Sequence, residues 1–122
     1  MLNTIYDYRE NVLNDLVSYI KEGIEYESFD ANDLDFESIY ESAWTADSVT
    51  GNASGSYTFN RYKAEENLLH NWDLAVEAYE SFGCDISKDL KNLDFEKIDV
   101  TIRCYLIGEL TPEAMNIVSE SV

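Results

Sequence analysis

In Asp94-Phe95-Glu96-Lys97-Ile98-Asp99-Val100-Thr101-Ile102-Arg103-Cys104-Tyr105-Leu106-Ile107-Gly108-Glu109-Leu110, apolar side chains return at three- and four-residue steps. Phe95, Ile98, Ile102, Tyr105, Leu106 and Leu110 would line one helix. Asp94 is placed to accept from the free amides of its first turn. Too many of its positions are apolar for a surface helix, so it should lie at the centre of a bundle. Directly after it, Thr111-Pro112 reads as the start of a separate final helix carrying Met115, Ile117 and Val118, with proline at the first helical position and Glu113 near the positive end.

Outward from this segment, the rest of the chain supplies partners for it. Ile5, Tyr8, Val12, Leu13, Leu16, Ile20 and Ile24 predict a first helix, capped by Asn3 or Thr4 and ended near Gly23. Tyr6, Tyr8 and Tyr19 form a tyrosine stripe on it, read as amphipathic rings at a core edge or as a contact surface. Asp35 is the expected cap of a second helix over 36–46, with Phe36, Ile39, Tyr40, Ala43 and Trp44 inward. A long helical region over 61–82 follows, capped by Asn60, ended by Gly83 and open to a break at His70-Asn71; Tyr62, Leu68, Leu69, Trp72, Ala75, Val76 and Tyr79 form its apolar face. A short Ser87-Lys88-Asp89-Leu90-Lys91 piece leads back to Asp94. The fold expected is mainly α: one domain over 1–122, about five helices around one core, with a small β-hairpin around residues 48–59 as the alternative to an open loop there.

Charge narrows the partners. Twenty-five acidic residues against eight lysines and arginines give a net charge of -17. Such a field repels nucleic acid and anionic lipid and attracts basic surfaces, which speaks against direct DNA or RNA binding. Between residues 22 and 60 there is no lysine or arginine, yet acids fall at 22, 25, 27, 30, 33, 35, 37, 41 and 47, interleaved with Phe29, Leu34, Phe36, Ile39, Tyr40 and Trp44. That apolar content predicts a folded acidic segment. No run of about 18 apolar residues marks a membrane span, and the first residues lack a signal-peptide pattern; the expectation is a soluble, cytoplasmic protein. Cys84 and Cys104 stand outside metal or redox spacings and read as small, partly buried thiols.

Several chemical readings fail on spacing. A calcium loop begun at Asp30 would put Leu34 and Asp35 where a ligand and the obligatory glycine belong. The loop over 47–56, with Gly51 and Gly55, has no Gly-Lys-Ser/Thr and no GxGxxG, so it is not a phosphate cradle. Glu66, His70, Asp73 and Glu77 at steps of four, three and four would share one helix face and resemble a metal half-site. A di-metal bundle needs a second histidine-bearing helix, and the chain has one histidine. No cofactor and no catalytic set is assigned.

Trp44-Thr45-Ala46-Asp47-Ser48-Val49-Thr50-Gly51-Asn52, Gly55-Ser56-Tyr57-Thr58-Phe59-Asn60, Ala64-Glu65-Glu66-Asn67, His70-Asn71-Trp72-Asp73-Leu74 and Asp99-Val100-Thr101-Ile102-Arg103-Cys104-Tyr105 resemble a family of small acidic proteins encoded by phages and mobile elements of Firmicutes. The resemblance spans about half of the chain and brings no catalytic residues with it. Two readings follow. In the first, the protein is a phage-encoded inhibitor of host defence, similar to anti-CRISPR proteins. Its carboxylates take the place of nucleic-acid phosphates and block DNA binding by a type II RNA-guided nuclease. Glu25, Glu27, Asp30, Asp33, Asp35, Glu37 and Asp47 would carry that contact, with Tyr26, Phe29 and Tyr40 as apolar anchors. In the second, it is a metal- or small-molecule-binding domain centred on Glu66, His70, Asn71 and Asp73, or a phage adaptor for another basic protein.

Overall fold

A computed structural model describes residues 7–50 and 60–121 of the chain, and for residues 45–50 the backbone alone. Six helices form among the described residues: α1 (Tyr8–Glu25), α2 (Phe36–Thr50), α3 (Arg61–His70), α4 (Trp72–Ser81), α5 (Ile86–Lys91) and α6 (Phe95–Glu120). The mainly helical class read from the sequence is what the structure has.

Helix α6 is the axis. It spans 26 residues, about 39 Å at 1.5 Å per residue, and packs against every other helix. Ile98, Ile102, Leu106, Ile107, Leu110, Ala114 and Val118 are buried along its whole length. They join Tyr8, Val12, Leu16 and Ile20 of α1, Ile39 and Ala43 of α2, Ala64 and Leu68 of α3, and Ala75, Ala78 and Tyr79 of α4 in one hydrophobic cluster.

The break expected at Thr111-Pro112 does not occur. Helix α6 continues through Pro112. Proline removes the amide that would bond the Gly108 carbonyl. The helix persists because Ala114 and Val118 prolong the buried stripe beyond it, and the Thr111 hydroxyl donates to the Ile107 carbonyl at the same turn. Gly108 also lets α2 approach closely: a Cβ there would stand 3.2 Å from Cε1 of Tyr40.

Three helices end in the same way. After α1, α4 and α5, the residue beyond the C-cap has a positive φ: Glu27 at 62°, Gly83 at 68° and Leu93 at 53°. In each, two amides turn back onto the last helical turn. The Ser28 amide reaches Gly23 O at 2.7 Å and the Glu27 amide Ile24 O at 3.1 Å, with equivalent pairs at Cys84/Gly83 and Asp94/Leu93. This is the Schellman arrangement, which favours glycine. Glycine fills it only after α4, where the sequence predicts the end. Gly23, expected to stop α1, lies inside it; α1 runs on to Glu25, and the bare Gly23 backbone makes room for the Phe29 ring. The α1 cap is Asp7, whose carboxylate accepts from the Glu10 amide at 3.1 Å; Asn3 and Thr4, expected there, lie outside the described residues.

Elsewhere the caps match their sequence signals. Asp35 accepts from the Ser38 amide at 3.2 Å and from its hydroxyl at 2.7 Å, Asn60 from Lys63 at 3.1 Å, and Asp94 from Lys97 at 3.2 Å. Helix α2 continues to Thr50, four residues past its predicted end at 46; residues 48–50 of the expected hairpin are therefore helical, and 51–59 lie outside the described residues. The break at Asn71 is present, with φ -123° and ψ 31°. The predicted apolar face over 61–82 is only partly buried: Leu68, Ala75 and Tyr79 face the core and Val76 is half-buried, whereas Tyr62, Leu69 and Trp72 are exposed. Phe36 and Trp44 also lie at the surface rather than inward.

Buried polar groups pin the helices together. Arg103, 1% exposed, reaches Asp15 of α1 at 3.1 Å. The Tyr8 hydroxyl donates to buried Asp99 at 2.6 Å, and the Tyr79 hydroxyl to buried Asp89 at 2.8 Å. Burial first, and then the Asp89 bond, push the Tyr79 phenol up from its usual range.

Candidate protein-docking surface

The acidic surface is built by the end of α1, the turn that follows, and the start of α2. Glu22 and Glu25 lie in the last turns of α1, where helix carbonyls already concentrate negative potential, and the last turn itself holds no base. The turn is ordered by its own polar groups: the Asp33 amide donates to Asp30 O at 3.0 Å, and the Asp30 carboxylate accepts from the Asn32 amide at 2.9 Å. Asp35 starts α2, and its two bonds from Ser38 hold its carboxyl below the usual range.

Every carboxylate of this segment, at Glu22, Glu25, Glu27, Asp30, Asp33, Asp35, Glu37 and Glu41, is exposed. None of the ion pairs among the described residues uses one of them; those pairs are Arg9–Glu77, Lys97–Asp89 and Arg103–Asp15, all elsewhere in the fold. Two like charges about 10 Å apart in water repel by about 0.4 kcal/mol. Eight such charges in one segment are thus a standing cost that a cationic partner would relieve.

The structure brings most of the residues chosen from sequence together here. Tyr26 caps α1 and is 76% exposed. Glu27 follows it in the left-handed turn. Phe29 is half-buried against Gly23 and meets Tyr19 edge-on, ring centroids 5.8 Å apart. Tyr40 is less available: it is half-buried, stacked on Phe36 at 5.6 Å and set against Gly108, so it anchors α2 to α6. Asp47 lies in α2, and its side chain is outside the described residues.

Sequence reading did not single out the pocket beside this surface. It has a volume of about 220 Å³ and is walled by Tyr19, Glu22, Tyr26 and Phe29, with Ser28 and Ser42 supplying hydroxyls. Tyr19 and Ser42 are hydrogen-bonded to each other, which ties α1 to α2 at its base. A second, larger pocket of about 440 Å³ lies between Trp44 and the first turns of α6, with Lys97 and Cys104 on its walls. Cys104 is buried; Cys84 is exposed rather than partly buried.

The metal reading loses its geometry. Asn71 interrupts the helix between His70 and Asp73, so Glu66, His70, Asp73 and Glu77 do not follow one continuous helix face. Glu77 is taken up by the Tyr105 hydroxyl at 2.7 Å and by Arg9 at 3.7 Å. Among the described residues no three His, Cys, Asp or Glu side chains converge to hold a metal ion. No described helix is long and apolar enough to cross a membrane. No protein-family model matches the chain, and neither a curated protein nor a solved structure shows significant similarity to it.

Proposed function

We propose that the chain is an acidic inhibitor that docks its α1–α2 edge into a lysine- and arginine-lined groove built for nucleic acid, and so keeps nucleic acid out. The observation that carries this reading is the set of exposed carboxylates from Glu22 to Glu41, none of which is in an ion pair among the described residues. Carboxylates fixed on a folded scaffold lose less freedom on docking than those of a disordered tail. They meet the groove's cations as phosphates would, and the contact weakens with salt. The resemblance to small phage proteins gives the reading its concrete form: an anti-CRISPR-type protein acting in the bacterial host cell on a type II RNA-guided nuclease.

The test is competition. A guide-loaded type II nuclease is mixed with the protein before labelled target DNA is added, at 50 and at 300 mM NaCl. DNA binding lost at the lower salt and recovered at the higher supports the reading. DNA binding unchanged at 50 mM NaCl overturns it.

A further inference from the structure

We propose that the pocket between Tyr19, Tyr26 and Phe29 is the specific reading head of the acidic surface and receives one arginine side chain of the basic partner. The proposal rests on the reading of that surface as a docking face for a cationic protein, and adds which cation it selects.

Four observations converge. First, the walls are aromatic: Tyr26 is 76% exposed, and Tyr19 and Phe29 pack edge to face against each other at an interplanar angle of 64°. Second, the lining includes groups that can accept from a cation, the Glu22 carboxylate and the Ser28 hydroxyl, with Ser42 held by Tyr19. Third, the shape is held in advance. Phe29 lies where any side chain on residue 23 would collide, a Cβ there coming within 2.2 Å of its Cδ2. The Ser28 and Phe29 amides both donate to the Gly23 carbonyl, at 2.7 and 3.1 Å. The Tyr19–Ser42 bond fixes the opposite wall. Fourth, no lysine or arginine lines the pocket. The larger pocket beside Trp44 differs on this point, since it already has a lysine, Lys97, on its wall beside Asp94 and Glu96.

Charge complementarity alone would accept lysine and arginine alike. The aromatic walls separate them. A guanidinium is planar and weakly hydrated, stacks on ring faces, and has five N–H donors for the carboxylate and hydroxyl at the same time. An ammonium is compact and strongly hydrated, and gains less from leaving water for this pocket.

The experiment is a titration of the whole protein at 20 and 150 mM NaCl with two peptides of equal length and charge, one of Gly-Arg and one of Gly-Lys repeats. Calorimetry gives affinity, and amide shifts of Gly23, Tyr26 and Ser28 report on the site. The arginine peptide should bind about fivefold more tightly than the lysine peptide, in keeping with a cation–π contact at a partly desolvated site. Tyr26→Ala, at an exposed position with little to lose in folding, should bring the ratio to about one by weakening the arginine peptide more than the lysine peptide. Equal affinities for the two peptides, or a ratio that survives Tyr26→Ala, would overturn the pocket assignment and leave the acidic docking face standing. If neither peptide binds even at 20 mM NaCl, both fall together.

Discussion

Glu27→Gly should make the fold more stable and its grip on a cationic partner weaker. Glu27 sits at φ 62° beyond the end of α1, a conformation that costs a residue with a Cβ about 1–2 kcal/mol. Glycine removes that cost but forfeits about 0.5–1 kcal/mol through its greater freedom in the unfolded chain. The net gain expected is about 0.5–1 kcal/mol, or about 2–5 °C in Tm for a chain of this size. Two controls share the geometry and lie outside the acidic surface. Leu93→Gly, at φ 53° and 59% exposed, should gain a similar amount. Gly83→Ala, where a Cβ would meet nothing within 4 Å, should lose about 1 kcal/mol for conformational reasons alone. Glu27→Gln separates relief of charge repulsion from relief of backbone strain. Thermal and urea unfolding followed by circular dichroism give the stabilities. A Glu27→Gly protein less stable than the parent, alongside a stabilised Leu93→Gly, would refute the reasoning, because the shared helix-end geometry would not then set the sign.

Arg103→Ala should cost about 3–5 kcal/mol in urea unfolding, since it removes the ion pair with Asp15 at the α1–α6 contact and empties a fully buried position; a loss under about 1 kcal/mol would contradict that role. The Tyr105 phenol is pushed up to about 12, chiefly by its bond to Glu77 and then by burial. A raised folded-state value means that its stabilisation is whole below the unfolded pKa of about 10 and is lost as pH rises through about 12. The Tm of the parent should therefore fall more steeply over that window than that of Tyr105→Phe, and parallel curves would contradict the assignment. With a net charge of -17, the parent should gain Tm between 10 and 300 mM NaCl, as the Debye length drops from about 30 Å to under 10 Å; a constant Tm would show that self-repulsion is not a significant cost.

The helical class was legible because the relevant signals are local. Apolar steps of three and four mark α1, α2 and α6, and Asp35, Asn60 and Asp94 act as the caps their side chains suit. What escaped depends on packing. Pro112 is a strong local start signal, yet the buried Ala114 and Val118 carry α6 past it. Gly23 reads as a stop, yet its missing side chain serves the Phe29 ring, and Glu27 takes the positive φ instead. Tyr62 and Leu69 sit at core spacing, but α3 buries the smaller face of Ala64, Asn67 and Leu68, so the large residues turn outward. Of the surface, the base-free acidic run was visible as composition. The pocket was not, because Ser42 reaches Tyr19 from another helix; the step of four from Tyr19 to Gly23, with an aromatic ring soon after, was its one local trace.

The most direct test of the acidic edge sets two charge reversals against each other. Glu25, Asp33 and Glu37 changed together to lysine alter the α1–α2 edge at exposed positions. Glu65, Glu80 and Glu113 changed to lysine alter the net charge equally at exposed positions on α3, α4 and α6. Each protein is assayed for displacing target DNA from the guide-loaded type II nuclease at 150 mM NaCl. If the edge is the docking face, the first variant loses inhibition by at least tenfold and the second keeps it within about twofold. Equal loss in both would show that net charge alone governs binding, and full inhibition by the first variant would show that the edge does not make the contact.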